Sequence, residues 1–472
     1  MTLIPKPNRS KLYQQPNRKN EWETVEEEEQ ARQAALEEQL KVLRSLLPDI
    51  IKKFERIPDP RRPRNTRHKI TVVLLFGLLM FVLRYDSRRM ANQEMTRPSV
   101  LETLRVVLPE IDSCPHMDTL ARVLESIAPE EIEDILGKTV KKLINNKKFK
   151  RLMADGCYVV AVDGTLKWST KRPFSPQAMT KKSGNTITYQ VYVLEAALVG
   201  PQGIALPLMS EFCENPPDNS ELKKQDCERK AFYRLSERLK SLFPKQPLMI
   251  VADGLYPNGP VMATCRANKW DFMIVLPNEL CLSTVWTEAK AICSLEPGQK
   301  LVNHWGDRIQ NYWWANQINY GWKDKEGKKH YIVLHMVVCH ETWQSDGETK
   351  ESTWAWVSAK AISNKNVLGR CNGAARYRWN IEEHILTEKK HGYNYEHMFS
   401  YHWNGMKCWH SLMHLGHLLN ILILHTVGLW KTVKKLGING TLRFLKQTLT
   451  GKWADLSRLA ALPDKPQLRL II

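Results

Sequence analysis

A chain of 472 residues, 43% of them hydrophobic, can bury a sizeable core and form two or three domains. Lysine and arginine outnumber aspartate and glutamate 69 to 50, and the resulting +19 favours a polyanionic partner such as nucleic acid or an anionic membrane surface. Ten scattered cysteines with no C-x-x-C pair argue against a disulfide scaffold or a zinc ribbon, and for reduced thiols in a cytosolic protein. The start, MTLIPKPNRSKLYQQ, lacks the apolar centre of a signal peptide. The best apolar run, Thr71 to Leu83, is shorter than the about 20 residues that span a bilayer. A soluble, cytoplasmic protein is expected.

Residues 1–58 read as a polar, disordered tail followed from Glu21 by an amphipathic helix. That helix opens on Glu26 to Glu29 and ends on Leu40, Leu43, Leu46, Leu47, Ile50 and Ile51. Residues 59–151 read as a basic helical domain. Asp59-Pro-Arg-Arg-Pro-Arg-Asn-Thr-Arg-His-Lys69 forms a proline-punctuated basic linker into an apolar helix at 70–84, and Asp118-Thr-Leu-Ala-Arg-Val opens another helix with an Asp or Thr cap. Seven basic residues between Lys138 and Arg151 close the region. It reads as a module for binding DNA ends, with plain helical packing as the alternative.

Residues 152–276 change character. Cys157 to Thr165 is a β-branched run predicted to be a buried strand ending in Asp163, and strand-like runs follow at Thr186 to Val199 and Ile204 to Phe212. After a helix with Ala231, Leu235, Leu239 and Leu242 on one face, Pro247 to Gly254 is a second buried strand ending in Asp253. A short helix from Gly259 to Asn268 and a strand from Phe272 to Leu276 complete the region. An Asp-Gly after one strand is often a turn; two strands each delivering an acid point instead to a ligand or metal site in an α/β sheet.

Residues 277–356 hold half of the chain's tryptophans: Trp286, Trp305, Trp313, Trp314, Trp322, Trp343, Trp354 and Trp356. Turn signals at Lys325-Glu-Gly-Lys and Ser345-Asp-Gly-Glu predict antiparallel strands around an aromatic core. Residues 357–430 return to helix. From Arg378 to Lys390, Arg378, Glu382, Ile385 and Lys389 share one arc at about 100° per residue, while Glu383 points roughly a quarter-turn away. Glu382 is therefore the candidate acid, with Glu383 as its alternative. His410, His414 and His417 lie on one side of an apolar helix from about Cys408 to Trp430; packed histidines are the reading there over zinc ligands. Residues 431–472 form a basic helical tail.

Together Asp163, Asp253 and Glu382 form a carboxylate set in a basic chain. Divalent cations neutralise such a set, and hard oxygen ligands select Mg²⁺ or Mn²⁺. Two ions about 4 Å apart can activate a water or 3′-hydroxyl and stabilise the leaving oxygen of a phosphodiester. Arg378 and Lys389 would hold DNA phosphates beside them.

These residues resemble a family, the DDE transposases of bacterial insertion sequences, in the branch with the YREK signature. Arg378, Glu382 and Lys389 match its R–E–K spacing, in the wording Arg-Trp-x-Ile-Glu. The tyrosine does not match: position 375 is Ala, and the nearest tyrosine is Tyr377. Asp163-Gly-Thr165 and Ala252-Asp253-Gly254 are similar to the family's two aspartate motifs, and the Asp59 and Asp118 stretches resemble the N-terminal region of the H-repeat-associated subgroup. The resemblance runs from about residue 55 to about residue 425.

It implies an α/β fold with a ribonuclease-H-like catalytic core, interrupted by the β-rich insertion and preceded by the helical N-terminal domain. It implies metal-dependent cleavage at transposon terminal inverted repeats and 3′-OH strand transfer into target DNA, with DNA and no membrane as the partner. A homodimeric synaptic complex in the bacterial cytoplasm, nucleoid-associated when bound to DNA, is implied as well. In some relatives a DNA hairpin forms and a tryptophan of the insertion stabilises a flipped base. The alternatives are a domesticated DNA-binding protein that no longer cuts, and a nuclease of the same fold that never joins strands.

Overall fold

A computed structural model of the chain describes residues 22–471 apart from 107, 108, 110, 217–224, 297, 452, 454 and 464–466. The polar segment 1–20 lies outside the described residues. Helices come first: α1 (Val25–Phe54), α2 (Ile70–Val82), α3 (Arg88–Met95), α4 (Pro98–Arg105), α5 (Met117–Ser126) and α6 (Pro129–Asn145). The Thr24 hydroxyl caps α1 by accepting from the Glu27 amide, and Glu26, Glu27 and Glu28 fill its first turn, where the helix dipole favours anions.

The chain then lays down β1 (Met153–Ala154), β2 (Cys157–Thr170), β3 (Met179–Ser183), β4 (Thr186–Val199) and β5 (Ala205–Cys213). Next come α7 (Glu228–Leu242), β6 (Leu248–Ala252), α8 (Gly259–Ala267) and β7 (Asp271–Val275). β5, β4 and β2 pair antiparallel, and β6 and β7 follow parallel to β2, giving the order β5-β4-β2-β6-β7.

Helix α9 (Ser283–Leu295) precedes β8 (Lys300–Trp305), β9 (Arg308–Lys323), β10 (Lys329–Ser345) and β11 (Glu348–Ser358). The two expected hairpins are present. Gly327, Asp346 and Gly347 take positive φ (82°, 56° and 80°) at the turns that join β9 to β10 and β10 to β11. The expected interruption by separate strands needs correcting, because β11 pairs antiparallel with β7. The 277–356 segment thus extends the core sheet, to 11 strands among the described residues, and it opens with a helix.

The last helices are α10 (Val367–Cys371), α11 (Trp379–Lys390), α12 (Trp403–Leu424), α13 (Trp430–Thr450, broken at Gly437) and α14 (Leu456–Ala460). Every residue of α12 except Asn404 and Lys407 is buried. α1, α2, α5, α6 and β5 all pack against it, so one helix links the N-terminal helices to the sheet. From Cys408 onward it has no solvent face, so its apolar residues run all round and its polar ones are buried with them. Among the described residues, no helix is long and apolar enough to cross a membrane.

The two faces of the central strands bury different partners, as strand alternation requires. Val160, Val162, Leu194 and Ile250 join the large core with α7, α8 and the N-terminal helices. Val159, Ala161, Ala197 and Val251 pack instead against Ile381 and Ile385 of α11.

Candidate active site

Asp163 sits on the α11 face of β2, in register with Glu195 of β4. The expectation that the strand ends at this acid needs correcting: β2 runs on to Thr170, because the long β4 continues to pair with it as far as Tyr189. Asp253 follows the last residue of β6, and its Oδ1 accepts the Leu255 amide at 2.9 Å. Glu382 lies in the first turn of α11, which packs across β2 and β4.

Burial pushes the Asp163 carboxyl up to about 7; the negative charge of Glu382 adds to this, Arg378 opposes it, and Asp253 and Glu228 contribute further. Segments distant in sequence therefore bring Asp253 and Glu382 each within electrostatic range of Asp163. Glu383 is exposed and borders a different depression, with Gln202, Ile204, Thr387 and Tyr393.

Arg378 is the residue before α11, at the end of a 3₁₀ turn over Ala375–Arg378. Its side chain is buried and its Nη1 lies 2.6 Å from Glu382 Oε1. It holds the acid in place as well as offering charge. Its guanidinium also covers the ring of the half-exposed Trp379 at 4.3 Å. Lys389 donates to the Leu166 carbonyl at 3.1 Å and pairs with Glu396 at 3.1 Å. Tyr377 is half-buried on the α11 side of the sheet, packed against the same core as Ile381 and Ile385. Among the insertion's tryptophans, Trp305 and Trp354 flank the Arg376 guanidinium, and Trp354 meets Trp379 edge-on at 6.3 Å.

A fourth carboxylate escaped the sequence reading. Glu228, at the start of α7, accepts from Tyr192 Oη at 2.9 Å and from Tyr256 Oη at 2.5 Å. It lies against Gly164, where any β-carbon would overlap its Oε2. In the run Asp226-Cys-Glu-Arg-Lys nothing distinguishes it from an ordinary helix-start acid; only the Gly beside Asp163 hints that something approaches closely.

All the oxygens offered by Asp163, Asp253 and Glu382 are hard donors, and their mutual repulsion is what bound divalent cations would relieve, so the residues fit Mg²⁺ or Mn²⁺. The histidines of α12 belong elsewhere. His414 and His417 bond Glu388 of α11, at 3.1 and 2.8 Å, and His410 lies 3.0 Å from Glu195. The set His384, Glu388 and His417 is close enough to hold an ion. However, the His384 and His417 rings stack at 4.4 Å and 8°, so no ion can lie near both ring planes, as imidazole ligation requires. In the set Glu195, His410 and His414, the Lys167 ammonium donates to His410 Nδ1 at 3.3 Å, which leaves that ring's proton on Nε2, facing Glu195 at 3.0 Å where a ligand lone pair would be needed.

Residues 51–139, from the end of α1 into α6, match the model of the DDE_Tnp_1-associated family. No curated protein matches the chain. Among solved structures, a chain from the piggyBac transposase synaptic complex with hairpin DNA is similar over 90% of this chain and 82% of its own, at 11% identity and a TM-score of 0.36. That likeness is too distant to bear on the fold or the site.

Proposed function

We propose that this chain is a DNA transposase that cuts at its element's terminal inverted repeats and transfers the 3′-OH ends into target DNA. The observation that carries the reading is the convergence of Asp163, Asp253 and Glu382 from β2, from the end of β6 and from α11, close enough for the other two charges to act on Asp163. The match of residues 51–139 to a transposase-associated family supports it from an independent part of the chain. The strand order β5-β4-β2-β6-β7, antiparallel and then parallel, is the one expected of a ribonuclease-H-like core.

In this reading Asp163, Asp253 and Glu382 hold two Mg²⁺ or Mn²⁺ ions. When bound, such a pair lowers the pKa of a water or 3′-hydroxyl and neutralises charge on the leaving oxygen. Arg378 fixes the Glu382 carboxylate. Arg378 and Lys389 also place positive charge on the α11 face where the phosphodiester backbone would lie. Trp305, about 43% exposed beside Arg376, is the insertion tryptophan best placed to stack on an unpaired base. Joining two transposon ends calls for a dimeric complex on DNA.

The test is cleavage of DNA carrying the terminal inverted repeats in Mg²⁺. Asp163→Ala, Asp253→Ala and Glu382→Ala are expected to lose cleavage and keep end binding, whereas Glu383→Ala keeps both. Full activity in Glu382→Ala would overturn the third acid. Cleavage without joined product in a strand-transfer assay would make the chain a nuclease, and end binding with no cleavage in Mn²⁺ would make it a DNA-binding protein.

A further inference from the structure

Behind the three acids lies a second polar cluster that the reaction does not use. Glu195, Glu388, Lys167, His384, His410, His414, His417 and Tyr395 are each at least nine-tenths buried. Glu195 Oε1 accepts from Tyr395 Oη at 2.6 Å and Oε2 from Ser210 Oγ at 2.7 Å. Lys167 Nζ donates to the Tyr395 carbonyl at 2.6 Å. Glu388 is met by His414 Nε2 at 3.1 Å, by His417 Nδ1 at 2.8 Å and by His384 Nε2 at 3.2 Å.

His414 is the member that touches both halves. Its Nε2 lies 3.1 Å from Glu388 and 3.9 Å from Glu195, and its Nδ1 faces Ser210 Oγ at 3.4 Å. Burial opposes its charge, but Glu388 and then Glu195 outweigh that and raise its pKa. Burial first, with neighbouring cationic groups, pushes His410 and His417 down to about 4. Two buried carboxylates call for two cations in a space that tolerates no uncompensated charge; Lys167 supplies one, and His414, which lies against both carboxylates, is the group whose charged form they favour.

The partners are placed where geometry is set. Glu388 is on α11, six residues beyond Glu382, and Glu195 is the register partner of Asp163 across β2 and β4. We propose that His414 is a positioning residue, an imidazolium clamped between Glu195 and Glu388 that fixes the helix bearing Glu382 against the strands bearing Asp163. The inference rests on the proposed active site for its consequence and on the fold alone for the clamp.

The experiment compares His414→Gln, which keeps a donor and loses the cation, with His414→Lys, which keeps the cation. Both are read by hydrogen exchange over α11 and by Mn²⁺ affinity of the full chain without DNA. His414→Gln is expected to speed exchange in α11 and to weaken Mn²⁺ binding about tenfold or more, as loss of a supporting group typically does, while His414→Lys stays within about threefold of wild type. Unchanged exchange in His414→Gln overturns the clamp, as does equal impairment of the two variants, which would mean lost packing rather than lost charge. Should His414→Gln fail to fold, Glu195→Gln removes the opposite pole and is expected to have the same two effects. Changed exchange in a chain whose wild type binds no Mn²⁺ would leave the clamp standing and overturn the active-site reading.

Discussion

Asp163 is the residue on which the electrostatics of the site converge, and its behaviour with pH follows. Its folded pKa of about 7 stands above the usual 3.8, so the fold holds this proton more tightly than the unfolded chain does. Stability on this account falls as pH rises through the window from about 4 to 7, and the full cost is present at about pH 8. Three units would be about 4 kcal/mol at about 1.4 per unit, and solvent screening of a half-buried group reduces this to about 1–2. Asp163→Asn is therefore expected to stabilise the chain by about 1–2 kcal/mol in chelator near pH 8, measured by urea unfolding, and to lose the Mg²⁺-dependent gain of the wild type. A less stable variant in chelator would remove burial of the charged carboxylate, with repulsion from Glu382, as the reason for the raised pKa. Asp163 and Asp253 stood out as candidate acids because each lies at the end of a β-branched run. Choosing Glu382 over Glu383 rested on helical phase, and only packing shows that Glu383 faces another surface. Glu228 could not be read, because its significance lies in where Tyr192, Tyr256 and Gly164 put it.

At the scale of elements, the periodic segments were the readable ones. Thr186 to Val199 is a strand with the expected bounds, and the Gly-containing turns between β9, β10 and β11 carry the positive φ that their sequences call for. What could not be read was pairing between distant segments, above all β11 with β7, since strand propensity carries no information about which edge a strand joins. The same holds for helix packing. Gly416 of α12 faces α2 so closely that a β-carbon would stand 2.6 Å from Phe81 Cβ and 3.3 Å from the α2 backbone. Alanine at a helix interior normally gains about 1 kcal/mol over glycine, whereas overpacking costs about 1–3. Gly416→Ala is expected to destabilise by about 1 kcal/mol net. Gly369→Ala in α10, where a β-carbon meets nothing within 4 Å, is expected to stabilise by up to about 1 kcal/mol. Thermal melts of the two variants with opposite signs would bear out the close approach; a stabilising Gly416→Ala would show that α2 yields freely.

For the whole molecule, the proposed function asks where a net charge of +19 would meet DNA. The described part of the linker before α2 divides its arginines between two tasks. Arg61 pairs with Asp59 at 2.7 Å and donates to the His68 carbonyl at 2.7 Å, so it braces the linker. Arg62 and Arg67 are exposed and border one surface notch with Arg122 of α5 and His116. This notch falls inside the segment 51–139 that matches the transposase-associated family, and α12 packs against both α5 and β5 of the sheet that carries the candidate acids. A basic notch so placed would suit DNA held at a set distance from the proposed site of cleavage. Each phosphate contact contributes about 0.9 to the slope of log affinity against log salt. Replacing Arg62, Arg67 and Arg122 together by Gln is therefore expected to flatten that slope by about 2–3 for inverted-repeat DNA. The loss should be nearly uniform across DNA sequences, because phosphate contacts position without specifying. An unchanged slope in the triple variant would move the DNA path off this notch and onto another basic surface, with the tail beyond α12 next to be tested.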